Sequence, residues 1–340
     1  MDNLTFLEEF EIDEIVKDGC KVTSYWLKSI SCKLSKYDLI KFIYNFSPTK
    51  DIIVISSCSV IERAQRLHKQ LLGYLLKNKK DYDILIIGCF FKKEKSTKYS
   101  YVSNEKLSLL PDTPSHYIKI QDGCNRKCSS CLIKKLRRHY NISPSNIISN
   151  IELNYDKNNA YKILGEDIIS YYYEGVNFIQ LIDIICQKFP YIKLHIPSIY
   201  PSCYMVLKLI DLMVKYNYQI EKSLHLSIQH ISKNILKYMY RDNYTKEQLI
   251  KIYGICNKNN IKLQYDIIVG FPYETNKDFK ELLNFIKQYP PQILNIFQYS
   301  NIDNVESNKY PQIPSQTKRN RICKLKNELY NIIEEINFQI

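Results

Sequence analysis

"IKIQDGCNRKCSSCLIKKLRRHY", Ile118 to Tyr140, sets Cys124, Cys128 and Cys131 in a basic loop behind Gly123. Thiols at i, i+4 and i+7 would share one face of a helix. The residues between them argue against that reading. Asn125, Arg126, Lys127, Ser129 and Ser130 are all polar, and a β-like run over residues 117–121 leads into the glycine. The stretch therefore reads as a strand followed by a thiolate-bearing loop, the arrangement of a metal site. Two metals suit it. A structural zinc needs a fourth ligand, which His116 or His139 could supply. An iron–sulfur cluster on three thiolates leaves one iron open to a substrate.

The rest of the composition bounds the setting. The chain has 340 residues, 45% hydrophobic and 24% charged, so it is long enough for two globular domains. No apolar run reaches the ~20 residues that span a bilayer. The acidic start, "MDNLTFLEEFEIDEIV", lacks the features of a secretion or transit signal. The expectation is a cytoplasmic protein with no membrane partner. A net charge of +13 fits a polyanionic partner such as RNA, though a lysine-rich composition alone also produces it. Eleven cysteines in a reducing compartment point away from disulfides. The scattered Cys32, Cys186, Cys203, Cys256 and Cys323 read as small buried apolar residues without chemistry.

Short β-like runs alternate with helical spacing throughout, which predicts an α/β fold with parallel sheets. Runs at 12–16, 52–55 and 84–87 are separated by "YWLKSISCKLSKYDLIKFIY" and "RAQRLHKQLLGYLLKNKK". They predict a small doubly wound parallel-sheet domain over residues 1–92. A polar linker follows at 93–116. Runs at 117–121, 161–164, 192–196, 223–228, 263–269 and 293–299 then predict a partial (βα)6 barrel over 117–340, ending in a helix. Cys20, Cys58 and Cys89 each lie just beyond a β-like run of the first domain. The carboxyl ends of parallel strands share one edge, so these three thiols are expected to converge.

"DGCNRKCSSC" resembles the cluster loop of radical S-adenosylmethionine enzymes. "DGCKVTSY", "ISSCSVIERAQRLHKQ", "ILIIGC", "LHLSIQHISKNILKYMYRDNY" and "DIIVGFPYETNKDF" are similar, in order, to landmarks of the methylthiotransferase branch. The resemblance implies that Cys124, Cys128 and Cys131 hold a 4Fe-4S cluster whose open iron binds S-adenosylmethionine. It implies a second 4Fe-4S cluster on Cys20, Cys58 and Cys89 that handles the transferred sulfur. "DIIVGFPYET" is implied to form the strand and turn beside the cofactor adenine, Gly270 and Pro272 letting the backbone approach closely and Glu274 and Thr275 fixing the turn; Gly165 and Glu166 are implied near the cofactor's polar end, and His225 and Gln229 at a barrel-strand end beside it. Arg241 matches a family arginine, and the basic run 134–139 could follow RNA phosphates.

The implied activity is methylthiolation of an adenosine beside the tRNA anticodon. Lys21 after Cys20 resembles the branch acting on threonylcarbamoyladenosine; the alternatives are isopentenyladenosine tRNA and a ribosomal-protein aspartate. A zinc or iron–sulfur RNA-binding protein without catalysis is the reading from another class. Partners would be a tRNA anticodon stem-loop, an electron donor protein and a sulfur source. The chain departs from the family pattern at Ser130, usually aromatic, at Thr23, usually Asn, and at Tyr200, usually acidic. The arginine and glycine-threonine expected after "YS" are absent from "YSNIDNVES", and no C-terminal TRAM β-barrel is expected before Ile340.

Overall fold

The computed structural model describes residues 4–27, 33–57, 62–89, 96–102 and 116–339. The chain divides into two compact units. One comprises residues 1–115 with 122–124 and 132–139; the other comprises 116–121, 125–131 and 140–340.

The first unit is one sheet in the order β1-β2-β3-β4-β5: β1 (Phe10–Lys17), β2 (Cys20–Leu27), β3 (Ile52–Ser57), β4 (Asp83–Gly88) and β5 (Tyr99–Tyr101). β3 is buried along its whole length, as a parallel strand covered on both faces must be. Ile53 and Ile55 pack towards Leu67, Leu71 and Leu75 of α2 (Glu62–Asn78). Ile52 and Val54 pack towards Leu39 and Phe42 of α1 (Lys33–Asn45). Period-two alternation thus feeds two separate cores, and the unit is doubly wound as expected.

Its first strand differs from expectation. β1 and β2 form an antiparallel hairpin from Phe10↔Leu27 to Lys17↔Cys20. Asp18 and Gly19, both at positive φ (51° and 77°), make the two-residue turn between them. β1 is an edge strand with Asp13 and Glu14 exposed, which discourages further strand pairing. The segment "YWLKSISCKLSKYDLIKFIY" is likewise split: Tyr25–Leu27 belong to β2, and the helix begins only at Lys33. β5 forms within the stretch read as a linker and pairs in parallel with β4.

The second unit contains all six expected strands. β6 (Tyr117–Lys119), β7 (Ala160–Leu164) and β8 (Lys193–His195) form one parallel sheet. β9 (Ser223–Gln229), β10 (Lys262–Val269) and β11 (Ile293–Gln298) form another. Parallel bridges Leu194↔Ile220 and Ile199↔Leu226 carry the first sheet towards the second. Intervening helices α3 (Pro144–Asn154), α4 (Phe178–Lys188), α5 (Cys203–Lys215), α6 (Lys233–Tyr238), α7 (Lys246–Lys258) and α8 (Asn276–Gln288) follow the strands. After α9 (Ser315–Leu329) the chain does not end in a helix: β12 (Glu335–Gln339) adds in parallel to β11. Along β9 the apolar Leu224, Leu226 and Ile228 are buried, whereas Ser223, His225, Ser227 and Gln229 are half-buried on the opposite face. The barrel interior is therefore polar. Among the described residues no helix is long and apolar enough to cross a membrane.

Candidate cluster and cofactor sites

Within the second unit, the cysteine loop is pinned by Ser129. Its N–H donates to the Met239 carbonyl (3.1 Å), its hydroxyl to the Tyr238 carbonyl (2.7 Å), and its own carbonyl accepts from Ser307 N–H (2.9 Å). A tight turn, Cys131 N–H to Cys128 C=O at 3.1 Å, separates the two thiols. Arg241 donates from Nη1 to Cys128 Sγ (3.4 Å) and from Nη2 to the Ser227 carbonyl (2.6 Å). The guanidiniums of Arg126 and Arg241 lie 3.5 and 4.4 Å from the Tyr200 ring centroid, and Arg126 is ion-paired with Asp167 at 2.7 Å. Burial raises the Asp167 carboxyl pKa, and Arg126 opposes that shift. Tyr200, a departure from the family pattern, thus contributes cation–π contact where an acid would have offered an ion pair. Ser130, the next residue after Ser129, is half-buried.

In the first unit, Gly123 precedes Cys124 at φ 65°, and a Cβ there would lie 2.7 Å from the backbone of Arg138, so only glycine fits. Arg137 does not face solvent as a phosphate contact would. It is buried, donating from Nε to Asp122 Oδ1 (2.6 Å), from Nη2 to Asp38 Oδ2 (2.7 Å) and from Nη1 to Cys89 Sγ (3.8 Å). Within the run 134–139, Lys134, Lys135 and Arg138 are the exposed cations. His116 stacks edge-on against Tyr161, and His139 Nδ1 lies 3.4 Å from the Gly123 carbonyl.

Cys89 follows the carboxyl end of β4 and bonds through its N–H to the Ser57 carbonyl, at the carboxyl end of β3. Cys20 is elsewhere. It opens β2 next to the hairpin turn, and its Sγ lies 3.6 Å from the Pro48 carbonyl at the amino edge. β2 runs parallel to β3, with Trp26 level with Ser56. At ~3.3 Å per residue, the six residues from Cys20 to Trp26 separate that thiol from the Cys89 edge by ~20 Å. Cys20 therefore does not converge with Cys89. Cys58 lies outside the described residues, as does Cys32. In sequence, Cys58 stands between β3 and α2, and Cys32 stands between β2 and α1. Among the described residues, no three His, Cys, Asp or Glu side chains already form a metal cage.

Gly165, Gln229 and the turn from Gly270 to Thr275 lie at or just beyond the carboxyl ends of barrel strands, whereas His225 is the third of the seven residues of β9, short of the expected strand end. Gly165 follows β7 where a Cβ would meet Ile168 Cγ2 at 2.7 Å and Gln121 Cβ at 3.0 Å; Glu166 is half-buried next to it. His225 points into the polar interior, with Nε2 2.7 Å from Asp266 Oδ1. Ser198 Oγ (3.0 Å) and Asn295 Nδ2 (2.7 Å) also donate to that carboxylate. Gln229 ends β9 at a register shift with φ 54°, and its buried Oε1 has no hydrogen-bond partner among the described residues. An orphaned acceptor at a strand end suits a ligand's donor.

Gly270, at φ 78°, ends β10 against the Lys318 side chain. Pro272 is buried in the turn that follows. Glu274 folds back to accept from Gly270 N–H (2.5 Å) and Phe271 N–H (3.2 Å) and pairs with Arg321 (3.1 Å). Burial pushes its carboxyl up to about 7, against Arg321 and the two N–H donors. Thr275 caps α8 in a reciprocal capping box with Asp278. Glu274 and Thr275 thus build the turn; neither side chain is spent on the interior. The sequence reading missed Lys318 and Arg321, whose cationic ends are buried under this turn; the run "KRNR" in α9 was their only signal.

The sequence profile of the Radical SAM superfamily matches residues 118–286. The ribosomal protein uS12 methylthiotransferase RimO of Hydrogenobaculum sp. (strain Y04AAS1) is 30% identical over 318 residues, covering 84% of this chain and 76% of the relative. The tRNA-2-methylthio-N(6)-dimethylallyladenosine synthase of Bdellovibrio bacteriovorus is 23% identical over 372 residues, covering 92% and 81%. Among solved structures, the radical S-adenosylmethionine methyltransferase TsrM of Kitasatospora setae superposes with a TM-score of 0.52 at 10% identity. That match covers 78% of this chain and 65% of the other, and it shows a shared fold.

Proposed function

Because the chain belongs to the radical S-adenosylmethionine methylthiotransferases, we propose that it transfers a methylthio group to an aspartate of a ribosomal protein. The observation carrying this reading is the 30% identity to a uS12 methylthiotransferase across 84% of the chain. A second reading, dimethylallyladenosine tRNA, is favoured by the net charge of +13 and by the tRNA-modifying relative that spans 92% of the chain. The threonylcarbamoyladenosine branch rested on Cys20–Lys21, a pair at the amino edge of its sheet. The Cys–Lys pattern recurs at Cys32–Lys33, but the Hydrogenobaculum and Bdellovibrio relatives are named for uS12 and dimethylallyladenosine.

The enzyme's cofactors are two 4Fe-4S clusters and S-adenosylmethionine, which together supply the radical and the sulfur. Cys124, Cys128 and Cys131 hold the first cluster in this proposal. Cys58, Cys89 and Cys32 hold the second, with Cys32 replacing Cys20. The support is topological: in sequence Cys32 stands between β2 and α1 and Cys58 between β3 and α2, and Cys89 follows the carboxyl end of β4, in a sheet where β2, β3 and β4 run parallel. The guanidinium donors on Cys128 and Cys89 fit thiolates that carry a cluster's negative charge. The protein's own part is to orient: Ser129 fixes the loop, Arg241 holds Cys128, and Gln229 offers an acceptor to the cofactor.

The test compares uS12 and tRNA nucleosides by mass spectrometry from cells with and without the gene. Loss of a methylthio group from uS12 supports the first reading and its loss from tRNA the second; unchanged profiles in both sink the proposal.

A further inference from the structure

Four tyrosines of the second unit form a cluster that no step above uses. Tyr238 and Tyr273 stack with ring centroids 4.3 Å apart and 27° between planes. Tyr310 packs 5.6 Å from Tyr273 and 6.1 Å from Tyr238, and its hydroxyl donates to that of Tyr240 at 3.1 Å. Tyr310 packs against the barrel core, but the other three rings are open to solvent. Tyr238, Tyr240 and Tyr273 remain 40%, 49% and 41% exposed.

Two of the four sit on backbone that disfavours them. Tyr273 (φ 67°) is the third residue of the turn closed by Glu274 N–H to Phe271 C=O (3.0 Å), a position that glycine fills at no steric cost. Tyr240 (φ 56°) follows the end of α6, where Arg241 N–H reaches the Leu236 carbonyl and Tyr240 N–H the Lys237 carbonyl. Glycine is again the usual occupant of such a helix terminus. Bulky side chains held in the left-handed region without burial to compensate mark a functional constraint.

Their position says which function. The cluster draws on segments that follow the carboxyl ends of β9, β10 and β11, the side of a parallel barrel where reactions are assembled. Its backbone also brackets the cysteine loop: Tyr238 and Met239 accept from Ser129, next to Cys128, and Ser307 donates to it. Lys237 and Lys309 directly precede Tyr238 and Tyr310 in a chain of net charge +13; Lys309 is ion-paired with Glu306 at 2.9 Å across an exposed surface, a pair that a phosphate can compete for. Exposed aromatic faces flanked by cations suit unpaired RNA, whose bases stack on the rings while lysines meet the phosphates. A basic protein segment would also stack on tyrosine, but this chain's charge opposes its approach.

We propose that Tyr238, Tyr240, Tyr273 and Tyr310 form a stacking platform for an unpaired RNA base beside the reaction site. This rests on the barrel mouth being that site, as proposed above, and adds an RNA contact to it.

The test measures binding of the full chain to a labelled RNA hairpin with an unpaired loop, to the same strand in a fully paired duplex, and to a lysine- and arginine-rich peptide. Tyr273→Gly and Tyr240→Gly remove a ring while easing the backbone, so a melting curve at or above the wild-type midpoint certifies the fold of each. The expected result is preference for the hairpin and roughly tenfold weaker hairpin binding in each variant, with duplex binding unchanged. Unchanged hairpin affinity in both variants overturns the platform. Loss of peptide binding instead overturns RNA as its occupant. Neither readout depends on methylthio transfer, so failure of the enzymatic assignment would be seen separately, in the mass spectra.

Discussion

Gly270 is held by two constraints at once, a φ of 78° and a Lys318 Cγ that an added Cβ would approach to 2.5 Å. Gly270→Ala should therefore destabilise the chain by about 1–3 kcal/mol, read as a lowered midpoint in thermal or urea denaturation. Four residues on, Glu274 gives a pH signature. Its carboxyl is raised from 4.5 to about 7, first by burial. Between those values the unfolded chain releases a proton that the folded chain keeps. The group's contribution to stability thus falls as pH rises from about 4.5 to about 7, and is level on either side. Wild type should lose at most about 3 kcal/mol more than Glu274→Gln across that window in chemical denaturation. Parallel curves for the two proteins would refute the assignment. The sequence announced Gly270 and Glu274 as a turn, but the Lys318 contact and the Arg321 pair come from a helix more than forty residues away.

At the scale of elements, the cap of α8 and the basic run after the cysteines make separate predictions. Thr275→Ala removes the hydroxyl that accepts from Asp278 N–H at 3.2 Å and should cost about 1 kcal/mol in unfolding free energy. Arg137→Met removes the guanidinium that pairs with the buried Asp38 and Asp122, whose side chains are 3% and 5% exposed, and should cost about 3–5 kcal/mol. A loss under 1 kcal/mol would show that the pair is solvated. The capping box was legible, since Thr followed three residues later by Asp is a local pattern. The burial of Arg137 was not, because a run of cations reads as a solvated face until distant carboxylates are brought to it. The hairpin was legible and overlooked: Asp18-Gly19 between two β-like runs is a turn signal whose reversal of direction moves Cys20 to the wrong edge.

For the whole molecule, the assignment of the second cluster makes the sharpest distinction between two cysteines. Anaerobically reconstituted Cys20→Ala should retain wild-type iron and sulfide, whereas Cys32→Ala should lose about half of both. The reverse result would return Cys20 to the ligand set. The alternation of β-like and helical runs, the spacing of Cys124, Cys128 and Cys131, and the six barrel strands were determined by sequence alone, because each depends on neighbours within one turn, strand or loop. Which edge of a sheet a thiol reaches, which cation is buried, and whether the final segment is helix or strand depend on pairings between distant residues. Lys17↔Cys20, Arg137 with Asp38, and Ile293↔Glu335 are such pairings. Only the tertiary structure decides them, because a strand's direction and a side chain's partner are set by what packs beside them.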